Sequence, residues 1–202
     1  MIIKNKWATF IGHKFMGKHY VVVQKWTAPD APSVTAVLAA TLLTTAVQSI
    51  TTGITNPDFP RLLVVDGGDG NVTGNVTIVG TNIRDEVITD TIALNGTSTV
   101  AGVKAFKSVV SISLPVYAVA GTETVSVGFS DKLGLQSIPL STSVISETTT
   151  NQADTGGALL TRDSDEIEKC VYDPTTECNA TADKVIVYIS DERPNRVGGY
   201  TS

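Results

Sequence analysis

The 202-residue chain is short of the residues that most catalytic sites are built from, with two histidines and two cysteines in all. His13 and His19 stand six apart. That spacing does not match the two-histidine helical zinc signature, and no third histidine exists to complete a zinc triad. Cys170 and Cys178 enclose seven residues, too wide a gap for a CxxC knuckle, and no histidine is near them. There is no G-x-S-x-G elbow, P-loop or dinucleotide fingerprint, and Gly67, Gly68 and Gly70 lack both the third glycine of that fingerprint and a helix to follow. Adjacent acids such as Asp85 and Glu86 point to opposite faces of an extended strand and cannot flank one bond. These absences argue against an enzyme, a cofactor and a catalytic metal.

Charge is also sparse, at 17% of the chain, so Thr, Ser, Asn and Gly must cover much of the surface. The net charge of −5 is unevenly placed. Residues 1–26 hold five lysines and no acid, which leaves ten basic against twenty acidic residues in the remainder. Such a split implies a basic arm that meets an acidic partner. Nucleic acid is disfavoured as that partner, because the arm has no arginine and an acidic body is repelled by phosphate. No apolar run is long enough for a membrane helix: the longest, residues 36–50, is broken by Thr41, Thr44, Thr45, Gln48 and Ser49. Charges within the first residues do not fit a signal peptide, so synthesis in the cytoplasm is the expectation. The sequons at Asn71, Asn75, Asn95 and Asn179 then carry little weight.

What the chain does have is a series of β-favouring segments between residues 45 and 140. Val110, Ile112, Leu114 and Val116 alternate with small or polar residues, as do Val125, Val127 and Phe129, the period of strands with one buried face. Residues 75–79 and 85–94 precede them, the second ending in Asn95-Gly96, a strong hairpin signal because both residues tolerate positive φ. The fold expected is all-β, an antiparallel β-sandwich or jelly-roll-like domain with an extended N-terminal arm. Its parts are an arm over 1–26, a Pro-containing linker over 27–33, a β domain over 34–190 with a long polar excursion at about 141–180, and a flexible tail over 191–202. Residues 34–50 are open to helix or strand, with extended structure favoured from Ala46 to Ile54. Residues 184–189 are apolar on both faces, which suits a strand between two layers or at a subunit interface.

The arm holds the strongest candidates for partner contact: Lys4, Lys6, Trp7, Phe10, Lys14, Phe15, Lys18, Tyr20 and Trp26. Aromatics bury large areas at small entropic cost and are enriched as interface anchors. The competing reading is an ordinary strand, with residues 20–24 packing on their own domain. The Asp66-Gly-Gly-Asp-Gly70 segment is an acidic turn; it lacks EF-hand spacing and any repeated Gly-Asp array, so a plain hairpin is favoured over calcium. Asp163, Asp165, Glu166 and Glu168 form an acidic cluster that reads as a solvated loop, with an ion or a basic partner as the alternative. Cys170 and Cys178, with Pro174 between them, are a candidate disulfide, with free thiols as the alternative.

Residues 51–61 (TTGITNPDFPR), 72–82 (VTGNVTIVGTN), 86–97 (EVITDTIALNGT) and 104–107 (KAFK), together with 125–128 (VSVG) and 131–135 (DKLGL), resemble a module found in structural proteins of tailed bacteriophages. The resemblance covers roughly half the chain. Among the roles in that group it is similar to capsid decoration, or cement, proteins. The resemblance implies a virion subunit on the outer head surface, often a homotrimer, that links neighbouring major capsid proteins and needs neither catalysis nor a cofactor. The rivals are another virion part, such as a neck, tail or fibre subunit, and a β module that binds a receptor or glycan.

Overall fold

The computed structural model describes residues 3–5, 8–10, 19–119, 121–149, 152–153 and 159–190, and it is all-β, with no α-helix among them. The strands are β1 (Ile3–Asn5), β2 (Ala8–Phe10), β3 (Tyr20–Trp26), β4 (Ser33–Leu42), β5 (Gln48–Ile50), β6 (Arg61–Gly67), β7 (Asn75–Thr81) and β8 (Val87–Ala93). They continue with β9 (Val100–Phe106), β10 (Ser108–Leu114), β11 (Thr124–Gly134), β12 (Ser146–Thr149), β13 (Gln152–Ala153), β14 (Leu159–Thr161), β15 (Val171–Asp173) and β16 (Lys184–Ser190). Among the described residues one 3-10 turn spans Ile167–Lys169. Three antiparallel sheets result, in the orders β1-β2-β3-β16-β12-β13, β5-β10-β7-β8 and β14-β15-β11-β6-β9, with β4 added beside β11.

The second and third sheets make a β-sandwich. Val76 and Ile78 of β7 and Ile88 and Ile92 of β8 alternate inward, and they meet Leu63, Val65, Val125, Val127 and Phe129 from the facing sheet. Each such aliphatic side chain contributes about 1.5–3 kcal/mol on burial, so this interior holds the two layers together. Strand β6 is covered on both faces: Leu63 and Val65 enter the sandwich core, while Leu62 packs with Ala105 and Val171 behind it. Its unbroken apolar run follows from that double coverage.

Strand β11 joins this core to a second one. Val125, Val127 and Phe129 fill the sandwich, the register with β6 then shifts between Phe129 and Leu133, and Leu133 and Leu135 enter a separate cluster under the first sheet. That cluster holds Val22 and Trp26 of β3, Ile186 and Tyr188 of β16, and Leu160, Ile167, Cys170, Tyr172 and Cys178.

Several expectations change here. Residues 20–26 are not part of an arm, because β3 pairs with β16 at seven positions, from Tyr20↔Ser190 to Trp26↔Lys184. The 27–33 linker is fastened: Ala180 N–H donates to Pro29 O at 2.8 Å, and Asp30 N–H donates to Asp58 Oδ2 at 2.8 Å. Residues 33–42 form a strand. The polar excursion at 141–180 supplies β12, β14, β15 and five buried members of the second core, so it closes that core. The tail over 191–202 lies outside the described residues.

Two expected hairpins are corners instead. Asn95-Gly96 does form a tight turn, with Ser98 N–H donating to Asn95 O at 3.0 Å and Gly96 at φ +56°, but β8 and β9 on either side belong to different sheets. The turn after Asp66 likewise leads from β6 in one sheet to β7 in the other. The β7–β8 hairpin is closed by Asn82, whose Oδ1 accepts N–H groups from Arg84 at 2.8 Å and Glu86 at 3.1 Å. In β10 a register break between Val109 and Ser111 reverses the expected alternation, so Val109 is buried and Val110 is 59% exposed.

Candidate functional site

A shallow groove of about 570 Å³ opens where β4 begins beside the irregular centre of β11, with Val34, Thr99, Phe129, Asp131 and Glu177 among its walls. Beneath it lies Arg61, fully buried. Its Nη2 donates to Asp58 Oδ2 at 2.9 Å and its Nη1 to Asp30 O at 2.8 Å, and the guanidinium carbon sits 4.6 Å from the centre of the Phe129 ring. Arg61 Nε is 2.8 Å from Asp58 Oδ1, close enough for an ion pair although the angle is not that of a hydrogen bond. This pairing with Asp58 fixes the guanidinium beneath the groove, through one hydrogen bond and one ion-pair contact to the same carboxylate. Burial holds the Asp131 carboxyl above the usual range, and the charges of Asp173 and Glu177 add to the effect. The groove therefore offers acid and hydroxyl groups over an apolar floor, which suits hydrogen bonding to a neutral or cationic partner. Among the described residues no group of three or more His, Cys, Asp or Glu is placed to hold a metal ion.

A second groove of about 270 Å³ is bordered by Lys132, Arg162, Lys169 and Asp163. Its cations are engaged: Lys132 with Asp173 at 3.2 Å, Lys169 with Glu166, and Arg162 Nε with Pro139 O at 2.7 Å.

The sequence-derived candidates fall as follows. Lys6, Trp7, Lys14, Phe15 and Lys18 lie outside the described residues, as does His13. Lys4 and Phe10 lie on β1 and β2, which extend the first sheet beyond β3, and Phe10 pairs with Val22. Tyr20 opens β3 opposite Ser190. Trp26 cannot anchor a partner, because it is only 2% exposed and stacks on Tyr172 with ring centres 5.3 Å apart and planes 14° from parallel. Its large apolar area is spent inside its own domain. The acidic cluster is a braced turn. Asp163 Oδ1 accepts N–H groups from Asp165 at 2.9 Å and Glu166 at 3.0 Å, and these bonds hold its carboxyl below the usual range. Lys104 Nζ reaches Glu166 at 3.0 Å and Glu168 at 3.3 Å, and Glu168 also accepts from buried Asn82 at 3.2 Å.

The two cysteines are buried and are not bonded to each other. Cys170 Sγ lies 3.3 Å from Asp163 O, while Cys178 Sγ donates to Asp131 O at 3.7 Å. Burial pushes the Cys178 thiol up to about 11, so it holds almost no thiolate at neutral pH.

Sequence reasoning missed the buried polar groups that fix this architecture. Glu147 accepts from the Tyr172 hydroxyl and from Thr175 N–H at 3.1 Å and Oγ1 at 2.7 Å. Glu123, 2% exposed, accepts the N–H groups of Ala118 at 2.8 Å and Val119 at 2.7 Å. Gln24 donates to Gly134 O at 3.1 Å and accepts from Gln136 N–H at 3.0 Å, which ties β3 to β11 and the turn beyond it. The only local signal for such roles is an isolated polar residue in an otherwise inward-facing position. Compared with known proteins, the chain matches no protein family, no curated protein and no solved structure.

Proposed function

We propose that this chain is a structural subunit of a tailed-phage particle, a capsid decoration protein that sits on the outside of the assembled head and links neighbouring major capsid subunits. One observation carries the reading. The segments that resemble phage structural proteins are scattered in sequence between residues 51 and 135, yet in space they supply β7, β8 and parts of β9 and β11, strands from both sheets of the sandwich. A shared folding unit is what such a resemblance requires, and a rigid β body suits a clamp that binds only the assembled shell and so shifts assembly towards it. The lysines of residues 1–18 are the part offered to the shell, and the subunit acts as a homotrimer made in the host cytoplasm. The test is to add purified protein to heads lacking it and measure bound copies per particle by sedimentation, with cryo-microscopy to place the density. Saturable binding on the head surface is expected. Density confined to a neck, tail or fibre would reassign the subunit to that part, and no binding to any part of the particle would reject the reading.

A further inference from the structure

Three side chains from separate stretches of the chain meet at one end of the sandwich. Lys104 lies on β9, Asn82 directly follows β7, and Glu168 sits in the 3-10 turn. All three are withdrawn from water, Asn82 being 1% exposed, Glu168 8% and the Lys104 side chain 18%. One carboxylate spans the other two groups. Glu168 Oε1 accepts from Lys104 Nζ at 3.3 Å, and its Oε2 accepts from Asn82 Nδ2 at 3.2 Å. An amine and a carboxamide nitrogen are thus held on the two oxygens of the same acid.

The oxygen of that carboxamide is held as specifically. Asn82 Oδ1 accepts the backbone N–H groups of Arg84 at 2.8 Å and Glu86 at 3.1 Å, so two donors already polarise the carbonyl and stand ready for negative charge on it. Asn82 Nδ2 also donates to Glu86 Oε2 at 2.8 Å, which fixes the plane of the amide. A nucleophile, a bridging acid–base group, an electrophilic carbon and a pair of oxyanion donors are the parts that aminolysis of an amide requires. Burial works against the charge of Lys104, but the bonds to Glu166 and Glu168 outweigh it and hold its pKa above the usual value. The lysine therefore rests as an ammonium and becomes a nucleophile when its proton passes to the carboxylate it already touches.

We propose that Lys104 attacks Asn82 to form an isopeptide bond within the chain, with Glu168 as the catalytic acid–base residue. Lys104 Nζ gives one proton to Glu168 and adds to Asn82 Cγ, and the carbonyl electrons move onto Oδ1 between the two N–H donors. Glu168 passes that proton to Nδ2, the Cγ–Nδ2 bond breaks as the carbonyl re-forms, and ammonia leaves. Glu168 then takes the extra proton from Nζ and releases it to the ammonia. The net change converts a lysine ammonium and a carboxamide into a secondary amide and an ammonium ion, with no electrons gained or lost. The reaction happens once per chain, so it does not make the protein an enzyme. The new bond ties β9 of one sheet to the end of β7 in the other and closes the loop from 82 to 104, which restricts the unfolded chain as a disulfide does. The inference does not rest on the decoration reading, since it concerns the purified chain alone.

The experiment is intact-mass spectrometry of the full chain, fresh and after incubation, with tandem spectrometry of its tryptic digest. The wild type is expected to be lighter than its sequence by one ammonia and to give a branched peptide joining residues 62–84 to 85–107, uncut at Lys104. Lys104→Arg keeps the charge beside Glu166 and Glu168 but offers no nucleophilic amine, so it should retain the full mass and melt below the crosslinked wild type. Glu168→Ala should form the bond at least about 100-fold more slowly. Melting curves verify that both variants fold, and the branched peptide of the wild type needs neither of them. A wild type that keeps its full sequence mass after incubation overturns the proposal. So does a loss of ammonia that persists in Lys104→Arg, as a succinimide at Asn95-Gly96 would give, and so does a Glu168→Ala variant that forms the bond as fast as the wild type.

Discussion

Asp90 offers the sharpest test of how the sandwich is held at its guarded edge. Its carboxylate leaves β8 and crosses to the other sheet, where Oδ2 accepts the N–H groups of Val103 at 2.8 Å and Lys104 at 3.2 Å. Strand β9 is an edge, so these two donors have no partner strand on that side, and the carboxylate stands in for one. Replacing Asp90 by Ala leaves both donors without that acceptor. A buried donor stripped of its acceptor costs about 1–3 kcal/mol, and because Val103 beside them is 59% exposed, water recovers part of this. The expected loss is about 2–3 kcal/mol, a fall in Tm of roughly 4–12 °C for a chain of this length. Asp90→Asn keeps an oxygen that can accept both bonds, so about half that loss is expected. Gly102 supplies an independent check, since a Cβ there would lie 2.4 Å from Asp90 Oδ2. Gly102→Ala should therefore destabilise the wild type more than the Asp90→Ala variant, which has no carboxylate to displace. Urea unfolding of the four-member cycle gives the coupling, and sizing shows whether the unguarded β8 edge begins to self-associate. If Asp90→Ala lies within 0.5 kcal/mol of wild type, or Asp90→Asn is as harmful as the alanine, the clasp is not what holds the edge.

Further expectations follow from the second core and the groove. Deleting residues 1–18 should leave a folded body, whereas deleting 1–26 removes β3 and Trp26 and should abolish the cooperative melting transition; equal melting curves for both truncations would contradict the pairing with β16. Cys170 and Cys178 should resist a thiol reagent in the native protein, react as two thiols after denaturation, and leave Tm unchanged when a reductant is added; a reductant-dependent Tm would show a disulfide. For Asp131 the folded pKa lies above the unfolded one, through burial and the neighbouring Asp173 and Glu177, so the folded state binds its proton more tightly. The stability linked to that proton is fully present below the unfolded pKa, about 4, and is lost as pH rises through the folded value. Asp131→Asn should thus raise Tm at neutral pH and lose that advantage in acid, as followed by thermal melts across pH; a lower Tm at neutral pH would contradict it.

The fold class was legible because burial on one face imposes period 2 wherever a strand is regular. β8 alternates along its whole length, and Val125, Val127 and Phe129 are buried as their spacing requires, but Ser126 and Gly128 between them are buried too, because β11 is covered on both faces there. Failures came where a local signal was right but its context was not. Asn95-Gly96 makes the tight turn its chemistry favours, yet a turn does not specify whether the next strand stays in the same sheet, and here it crosses to the other. The irregular register at Val109 to Ser111 inserts a step that period 2 cannot carry, so Val110 ends outside. Composition misled at 141–180 for a different reason. Averaged over forty residues the segment is polar, but a second core needs only a few well-placed side chains, and Leu160, Ile167 and Tyr172 supply them. The groove at Asp131 was invisible because Val34, Thr99, Asp131 and Glu177 come from four distant stretches.

The division of labour at the N-terminus follows from the same long-range logic. Trp26 and the lysines of residues 1–18 were grouped because they are close in sequence and share the chemistry of contact surfaces. Their surroundings separate them. Strand β3 is central in its sheet, bonded along its length to a strand more than 150 residues away, and its inner face alternates Val22, Gln24 and Trp26 into the second core. The entropy of closing so long a loop grows only with the logarithm of its length, so the distance that hides the pairing from a local reading does little to oppose it. Salt bridge Lys25–Asp183 at 2.5 Å then uses the lysine nearest this strand within the molecule, on the sheet's outer side. Within residues 1–26 the lysines outside β3 are Lys4, Lys6, Lys14 and Lys18, and the proposed partner contact rests on them and on Trp7, Phe10 and Phe15 rather than on the buried Trp26. The buried Val22, Gln24 and Trp26 hold β3 to its own domain, so the proposed contact uses residues upstream of Tyr20.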